Sequence, residues 1–328
     1  MKTITGDNRF CAAHVAKAFN MRPDRILTGP EIAALSPEAL MVKAKDAEVF
    51  AEIGPDQKEL IVRALQKGAA AVAYMGDGIN DVAAINAADA GISVNDAVDV
   101  AREAADVVLL EKDLTVLADG IREGRRTFAN TLKYILINTG ATFGNMFSVA
   151  IASLILPYLP MLPTQILLTN FLTDLPYMAV SSDNVDEEQV QRPGRWDLRT
   201  IRSFMVIFGL HSTLFDVCTF LVLFSWLRVS EGLFQTGWFL ESVVTELFIL
   251  FIIRTRRSVL KSTPGRSLTL FSVLAFLLTI GLIYAPFDTT IELQALPARV
   301  IGPIAVILLL YVITADLLKR WFFKRLAT

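Results

Sequence analysis

The stretch AVAYMGDGIND, residues 71–81, decides how the amino-terminal part of this chain is interpreted. An apolar run ends there in Gly-Asp-Gly, which predicts a buried strand followed by a tight turn. Asp77 then lies at the carboxyl edge of a parallel sheet, where such folds bind phosphate and metal ions. Asp81, four residues on, adds a second carboxylate. The loop is therefore a candidate Mg²⁺ site.

Two further elements suited to phosphate lie at the edges of predicted strands and helices. Thr5 and Gly6, in the strand end TGDN, offer a hydroxyl and an exposed amide, and Lys58 offers a positive charge. Gly78 lets the backbone approach an anion closely, and Asn80 can hydrogen-bond a phosphoryl oxygen without adding negative charge. We expect these elements to lie on one sheet and to stabilise a phosphoryl group during transfer. Taken singly, each is also explained as a tight turn or a solvated residue.

Residues 1–112 alternate β-rich runs with helical stretches, which predicts an α/β domain with a parallel sheet. The predicted strands are Thr3–Thr5, Arg25–Leu27, Val49–Ile53, Ala70–Met75, Gly91–Val94 and Val107–Leu110. The predicted helices are Arg9–Phe19, Asp56–Lys67, Val82–Ala88 and Asp96–Glu103.

Composition divides the chain into a soluble part and a membrane part. Of 328 residues, 53% are hydrophobic, which is too apolar for one soluble domain of this length. The formal net charge of −2 argues against a nucleic-acid surface. The two cysteines, Cys11 and Cys218, lie far apart and predict neither a disulfide framework nor a zinc site.

The second part predicts six membrane spans. Residues 113–133 are charged and helical and predict a stalk helix that continues into a transmembrane domain at residues 134–328. The predicted spans are residues 131–156, 163–181, 203–227, 236–253, 268–285 and 299–318. Basic residues cluster in the connections at 182–202 and 254–267 and in the tail, including Arg254 and Lys319. By the positive-inside bias, these segments and both termini are cytoplasmic.

Oxygen-bearing side chains within these spans predict a cation site. A carboxylate in mid-bilayer costs at least ~2.5 kcal/mol, so Asp174 and Glu246 should face a pathway or a partner. Helical spacing adds the side chains of Thr142, Asn145, Asn170 and Thr173. Interhelical hydrogen bonding is the alternative role for the neutral members of this set. We expect Glu241 to lie near the outer interface and to be solvated, and assign no role to Asp216 or His211.

The motifs TGDN, PDQK and MGDGINDVAAI, followed by a helix and membrane spans, resemble the carboxyl-terminal half of a P-type cation-transporting ATPase. The resemblance runs the length of the chain and implies a haloacid-dehalogenase-like phosphorylation domain. It implies that Thr5, Gly6 and Asp7 lie near the phosphoryl group, with Lys58 as its counter-charge. In such pumps ATP is the substrate and a catalytic Mg²⁺ assists.

The same resemblance assigns Asp77 as a ligand of the catalytic Mg²⁺, with Asp81 and Asn80 in support. Within the family, the stretches FGNMFSVAIASLILPYLPMLPTQILL, RPGRWD and FQTGWFLES are most similar to magnesium-transporting pumps. Asn145 stands where calcium pumps carry an acid, and a site with fewer carboxylates suits Mg²⁺, which dehydrates reluctantly. The threonine at position 173 is more similar to the residue found in the calcium pumps, so Ca²⁺ is the alternative transported ion.

The string Asp-Lys-Thr-Gly-Thr, on which this family accepts phosphate, does not occur in the 328 residues. The chain alone is then expected not to hydrolyse ATP, and the missing amino-terminal half is either supplied by a separate chain or lost through truncation of the gene. The expected location is the plasma membrane. A non-catalytic membrane remnant or subunit is the alternative of a different class, and a membrane-tethered phosphatase is disfavoured by the acids within the spans.

Overall fold

The structure, a computed structural model, describes residues 1–22, 24–68, 71–111, 113–191, 193–284 and 291–326. They divide into two compact units, Met1–Gly120 and Ile121–Thr328. The sequence places the end of the soluble domain at residue 112 and the end of the stalk at residue 133.

The first unit alternates short strands with helices. Its strands are β1 Thr3–Ile4, β2 Ile26–Thr28, β3 Val49–Ala51, β4 Ala73–Met75, β5 Ala90–Val94 and β6 Val107–Leu109. Its helices are α1 Arg9–Ala18, α2 Gly29–Ala33, α3 Pro37–Asp46, α4 Pro55–Lys67, α5 Val82–Ala87 and α6 Asp99–Ala104. Every strand pair is parallel, which confirms the predicted pairing.

The strands form two sheets, so the expectation of one sheet is wrong. Their orders are β1-β3-β2 and β4-β5-β6, and no ladder joins β1 to β4 among the described residues. Helix α4 packs on both, because Ile61 is buried in the core of the first sheet and Val62 in that of the second. Ile4 of β1 also contacts both cores. The carboxyl ends of β1 and β4 are thus linked through packing rather than through strand pairing.

Helices α2 and α3 are absent from the sequence prediction, although local signals for α3 exist. Ser36 caps α3 by accepting a hydrogen bond from the Ala39 amide at 3.2 Å, and Pro37 occupies its first turn. Helix α6 begins at Asp99, three residues after the predicted start at Asp96. Ala70, the predicted start of the fourth strand, lies outside the described residues.

The second unit is helical. Helix α7, Leu114–Ile155, begins inside the first unit and contains the predicted stalk and first span without interruption. The others are α8 Pro163–Ala179, α9 Glu187–Val190, α10 Leu198–Phe220, α11 Glu231–Ile253, α12 Arg266–Tyr284 and α13 Ala298–Leu326. A π-helical turn, Leu221–Trp226, extends α10.

Five helices of the described chain are long and apolar enough to cross a membrane: α7, α10 with its extension, α11, α12 and α13. The remaining predicted span, residues 163–181, corresponds to α8, which has 17 residues and contains Pro176. Helix α11 is the most enclosed, with 89% of its most apolar window buried. The unit is therefore organised around α11.

Two basic residues that the sequence places in a solvated loop and tail are instead buried. Arg254 is 2% exposed and Lys319 is 0% exposed. Lys319 donates to the carbonyls of Ile252 and Arg257 at 2.9 and 2.7 Å, and so satisfies backbone groups near the carboxyl end of α11. Arg254 pairs with Asp183. Both side chains are thus buried with polar partners and are not solvated. Counting charges along the sequence does not detect this difference.

Candidate functional site

Asp81 is the most constrained residue of the MGDGIND loop. Its carboxylate accepts hydrogen bonds from Lys58 Nζ at 2.7 Å, from the Tyr74 hydroxyl at 2.6 Å and from the Gly78 amide at 3.2 Å. The side chain folds back over Gly76, where a Cβ would collide with it. Glycine is thus required at position 76 for close approach. The loop is held by Asp81, and Lys58 is anchored to it.

These contacts determine the protonation states of Asp81 and Tyr74. Burial acts to raise the pKa of Asp81, but the hydrogen bonds from Lys58, Tyr74 and Gly78 outweigh it, and the pKa is lowered. Burial, together with the adjacent carboxylate, raises the pKa of the Tyr74 hydroxyl. Asp81 is therefore an anion and Tyr74 a neutral donor at neutral pH.

Replacing Lys58 by methionine should destabilise the loop by about 2 kcal/mol, because a mostly buried carboxylate loses its charged partner. Since the folded pKa of Asp81 lies below the unfolded value of about 3.9, its stabilisation is full at neutral pH and disappears as pH falls through the folded pKa. Hydrogen–deuterium exchange of β4 amides, corrected for intrinsic rates, measures both effects. Asp81→Asn should remove the acid dependence. Asp77→Asn, at an exposed carboxylate, is the matched control. Equal losses of amide protection in Lys58→Met and Asp77→Asn would contradict the stabilising role of the Lys58–Asp81 ion pair.

The other predicted residues of this loop are accessible. Asp77 and Asn80 are exposed, and the Asp77 carboxylate makes no hydrogen bond or ion pair with the described residues. It is free to bind a metal ion, whereas the oxygens of Asp81 already accept three donors. No group of three or more His, Cys, Asp or Glu that could hold a metal occurs in the part of the chain that the structure describes. A Mg²⁺ here would have Asp77 as its free carboxylate ligand.

The TGDN motif forms a tight turn at the end of β1. The Thr5 hydroxyl donates to Asp7 Oδ2 at 2.9 Å and accepts from the Asp7 amide at 3.1 Å. Gly6 and Asp7 are exposed, and Asn8 caps α1 by accepting from the Cys11 amide at 2.9 Å. Thr5, Gly6 and Asp7 thus remain near the surface, where they could contact a ligand.

The second unit contains a cavity of about 520 Å³ between α7, α8 and α11. All six oxygen-bearing residues predicted for the spans line it: Thr142 and Asn145 from α7, Asn170, Thr173 and Asp174 from α8, and Glu246 from α11. The residues come from segments far apart in sequence, and packing of three helices brings them together. Mg²⁺ and Ca²⁺ both prefer such oxygen ligands.

Glu246 is the buried acid of this cavity. Its carboxylate accepts from Asn145 Nδ2 at 2.6 Å and from the Tyr177 hydroxyl at 3.3 Å, and it is 7% exposed. The Thr173 hydroxyl lies beside it and donates to the Thr169 carbonyl at 3.1 Å. Because no cationic side chain pairs with Glu246 among the described residues, the negative charge is available to a bound cation.

The cavity is open on one side. Thr142, Asn170 and Asp174 are exposed, while Thr173 and Glu246 are buried. Phe171 and Met178, three residues before and four residues after Asp174 on α8, are 67% and 69% exposed and share its helix face. Asp174 therefore lies on an apolar face of the unit and also lines the cavity.

Sequence reasoning missed several polar residues of the cavity. Tyr177, Thr169, Trp238 and Ser242 also line it. Tyr177 is four residues after Thr173 on α8, so the helical spacing that selected Thr173 could have found it. Trp238 and Ser242 have no comparable signal, because apolar stretches contain such residues for many reasons.

The expectation that Glu241 is solvated near the interface is wrong. Its side chain is 1% exposed, and both carboxylate oxygens are buried without a hydrogen-bond partner in the described chain. Asp216, 3% exposed, lies beside it on α10. Burial follows from the central position of α11, which distance along the span does not reveal.

Comparisons with known proteins agree with these features. A family model described as cation transporting ATPase, C-terminus, matches residues 158–321, half of the chain. The magnesium-transporting ATPase, P-type 1, of Salmonella typhimurium (strain 14028s) is 41% identical over 331 residues, covering 99% of this chain and 37% of that protein. Its namesake in Escherichia coli (strain K12) gives the same identity and coverage.

The calcium-transporting ATPase of Bacillus subtilis (strain 168) is 31% identical over 294 residues, covering 86% of this chain and 33% of that protein. The chain thus spans about a third of the length of these relatives. Its five long apolar helices and these similarities make it a multi-pass membrane protein. With a family model matching half of its residues, the chain belongs to the P-type cation-transporting ATPase family.

Proposed function

We propose that this chain is the carboxyl-terminal part of a pump that uses ATP, through an aspartyl-phosphate, to move a divalent cation across the plasma membrane. The observation that carries the proposal is the cavity in which six oxygen-bearing side chains, two of them carboxylates, converge between apolar helices. A carboxylate between membrane helices usually faces an ion pathway or pairs with a partner, because its burial in lipid is costly.

Mg²⁺ is the favoured cargo. Asn145, a neutral amide, donates to Glu246, and the acids among the described residues that line the cavity are Asp174 and Glu246. A large cavity with few carboxylates is suited to an ion that retains several water molecules of its hydration shell. The magnesium-transporting names of the 41%-identical relatives support this choice. Ca²⁺ is the second candidate, favoured by Thr173 and by the Bacillus subtilis relative.

A further membrane helix would cover the open side of the cavity. Asp174 is exposed there among apolar side chains, and an uncovered carboxylate facing lipid is costly. That helix would come from the remainder of the pump, as a separate chain or as another part of the same polypeptide. Without it the cation would have ligands on one side only.

In the first unit, we assign a haloacid-dehalogenase-like phosphorylation domain. Asp77 would hold the catalytic Mg²⁺, which supplies positive charge to the transferring phosphoryl group. Thr5, Gly6, Asp7, Gly78 and Asn80 would contact that group or its surroundings. Lys58 would serve as counter-charge, and Asp81 would orient it through the 2.7 Å ion pair. The acceptor aspartate lies elsewhere, since Asp-Lys-Thr-Gly-Thr is not in this sequence.

We assign six spans, the five long apolar helices and α8, with both termini on the cytoplasmic side. Helix α8 is 17 residues long, or roughly 26 Å at 1.5 Å per residue, and a 3₁₀ turn at Val180–Ser182 extends it. The basic clusters near residues 195–202 and 254–266 support the orientation. A non-catalytic membrane remnant is the alternative, and it predicts no transport with any partner.

The test is co-expression of the chain with a candidate amino-terminal half in a cell deficient in magnesium uptake. We expect growth rescue by the native pair and by the control Glu231→Gln, an exposed carboxylate at the start of α11. Asp174→Asn should abolish rescue, because it removes one of the two acids of the cavity. Rescue by Asp174→Asn at the native level would contradict the site. Calcium uptake in place of magnesium uptake would favour the second candidate.

A further inference from the structure

A second pair of acids is buried in the membrane unit, outside the cation cavity. Asp216 on α10 is 3% exposed and Glu241 on α11 is 1% exposed. Neither lines the cavity. Burial of two carboxylates side by side is unfavourable unless charge is removed or neutralised. The pair therefore needs a physical explanation.

Asp216 has its hydrogen bonds satisfied. The Ser148 hydroxyl of α7 donates to Oδ2 at 2.6 Å, and the Trp238 indole of α11 donates to Oδ1 at 2.8 Å. Three helices thus converge on one carboxylate. Both oxygens accept from hydrogen donors, which leaves poor access for a metal ion.

Glu241 is in the opposite situation. Both of its oxygens are buried and no donor among the described residues reaches them. Trp238, which donates to Asp216, lies three residues before Glu241 on α11, so the carboxyl groups of Glu241 and Asp216 lie on the same side of that helix and interact. Two ionised carboxylates can only accept hydrogen bonds, so contact between them requires a proton on one. A protonated Glu241 would donate to Asp216 and satisfy the contact.

Among the described residues, the groups that face the pair offer no positive charge in place of that proton. The titratable groups facing the pair are Cys218 on α10, Tyr311 on α13 and Glu246 on α11. His211 on α10 packs against the Tyr311 ring at 5.1 Å and bonds Thr314 through Nε2 at 2.9 Å. Helix α7 contributes the neutral Ser148.

We propose that Asp216 and Glu241 form a proton-binding site, in which Glu241 carries one proton and donates it in a hydrogen bond to Asp216. The bound proton leaves the pair with one negative charge, stabilised by Ser148 and Trp238. Trp238 also lines the cation cavity, so the proton site and the cavity share one wall. This inference does not rest on the identity of the transported cation.

The test is infrared difference spectroscopy of the intact chain in lipid nanodiscs at neutral pH. A protonated carboxylic acid has a carbonyl stretch distinct from the bands of a carboxylate. We expect the spectrum of the native chain minus that of Glu241→Gln to contain one carboxylic-acid band per chain. Glutamine keeps the shape of the side chain and can donate to Asp216, so this variant should fold. The control difference, with Glu231→Gln, should contain carboxylate bands only.

Three outcomes would overturn the proposal. The first is a Glu241→Gln difference spectrum containing only carboxylate bands at neutral pH. The second is loss of the acid band when Mg²⁺ is added to Glu246→Gln, since the cavity is then impaired and the pair itself would be binding the metal. Ser148→Ala is a second variant, and it should shift the acid band without removing it because it removes one of the hydrogen bonds that Asp216 accepts. An unshifted band would show that Asp216 is not the acceptor.

Discussion

Replacing Asp183 by alanine is expected to lower the free energy of unfolding of the membrane unit by about 3–5 kcal/mol. Asp183 is fully buried, and its carboxylate accepts from Lys133 at 2.9 Å, from Arg254 at 2.9 and 3.1 Å and from the Gly265 amide at 2.8 Å. Without it, two buried cations lose their anionic partner. Such a loss is a large fraction of the stability of a typical domain.

The cluster around Asp183 joins three segments. Lys133 belongs to α7, Asp183 follows α8 and Arg254 follows α11. Arg254 also donates to the carbonyls of Asn184 and Thr263 at 3.2 and 2.7 Å. The partners of Arg254 therefore lie on the connection after α8 and on the connection after α11. Substitution of Asp183 should destabilise both connections together.

Thermal unfolding in detergent measures the loss, with Glu188→Ala as the matched control. Glu188 pairs with Arg257 at 2.5 Å, but that pair is exposed and contributes little. Lys133→Met should cost less than Asp183→Ala, because Asp183 retains Arg254 and the Gly265 amide. A midpoint for Asp183→Ala equal to that of Glu188→Ala would refute the structural role.

Glu246→Gln should weaken Mg²⁺ binding to the chain by roughly 100-fold, or about 2.8 kcal/mol. Glu246 is the buried acid of the cavity, and its charge acts on the cation in surroundings of lower dielectric constant than water. Glutamine can still accept from Asn145, so we expect the fold to persist. Equilibrium dialysis of the purified chain against Mg²⁺ measures the affinity.

Two comparisons make that result specific. Glu231→Gln removes an exposed charge from the same helix and should leave the affinity unchanged. Tyr177→Phe removes only the 3.3 Å hydrogen bond to Glu246 and should change the affinity by a few-fold at most. Native affinity in Glu246→Gln would mean that Glu246 serves only as a hydrogen-bond acceptor between helices.

The sequence predicted which membrane side chains share one cavity because their pattern is local, and their role in binding a cation stays a prediction. Asn170, Thr173 and Asp174 share a face of α8 through helical spacing, and the structure brings them to one cavity with Thr142, Asn145 and Glu246. The strand ends at β1 and β4 were found in the same way, since alternation and glycine punctuation act over a few residues. The chemistry at Asp77 and Thr5 stays a prediction.

Only the tertiary structure determines which polar groups contact each other. Asn145 and Glu246, separated by 101 positions, and Ser148 and Asp216, separated by 68, are paired because helices α7, α10 and α11 pack together. The burial of Arg254, Lys319 and Glu241 and the division into two sheets likewise depend on distant contacts. Periodicity along a chain determines which face of a helix is polar. The solvation and the partner of each charge depend on what packs against that face.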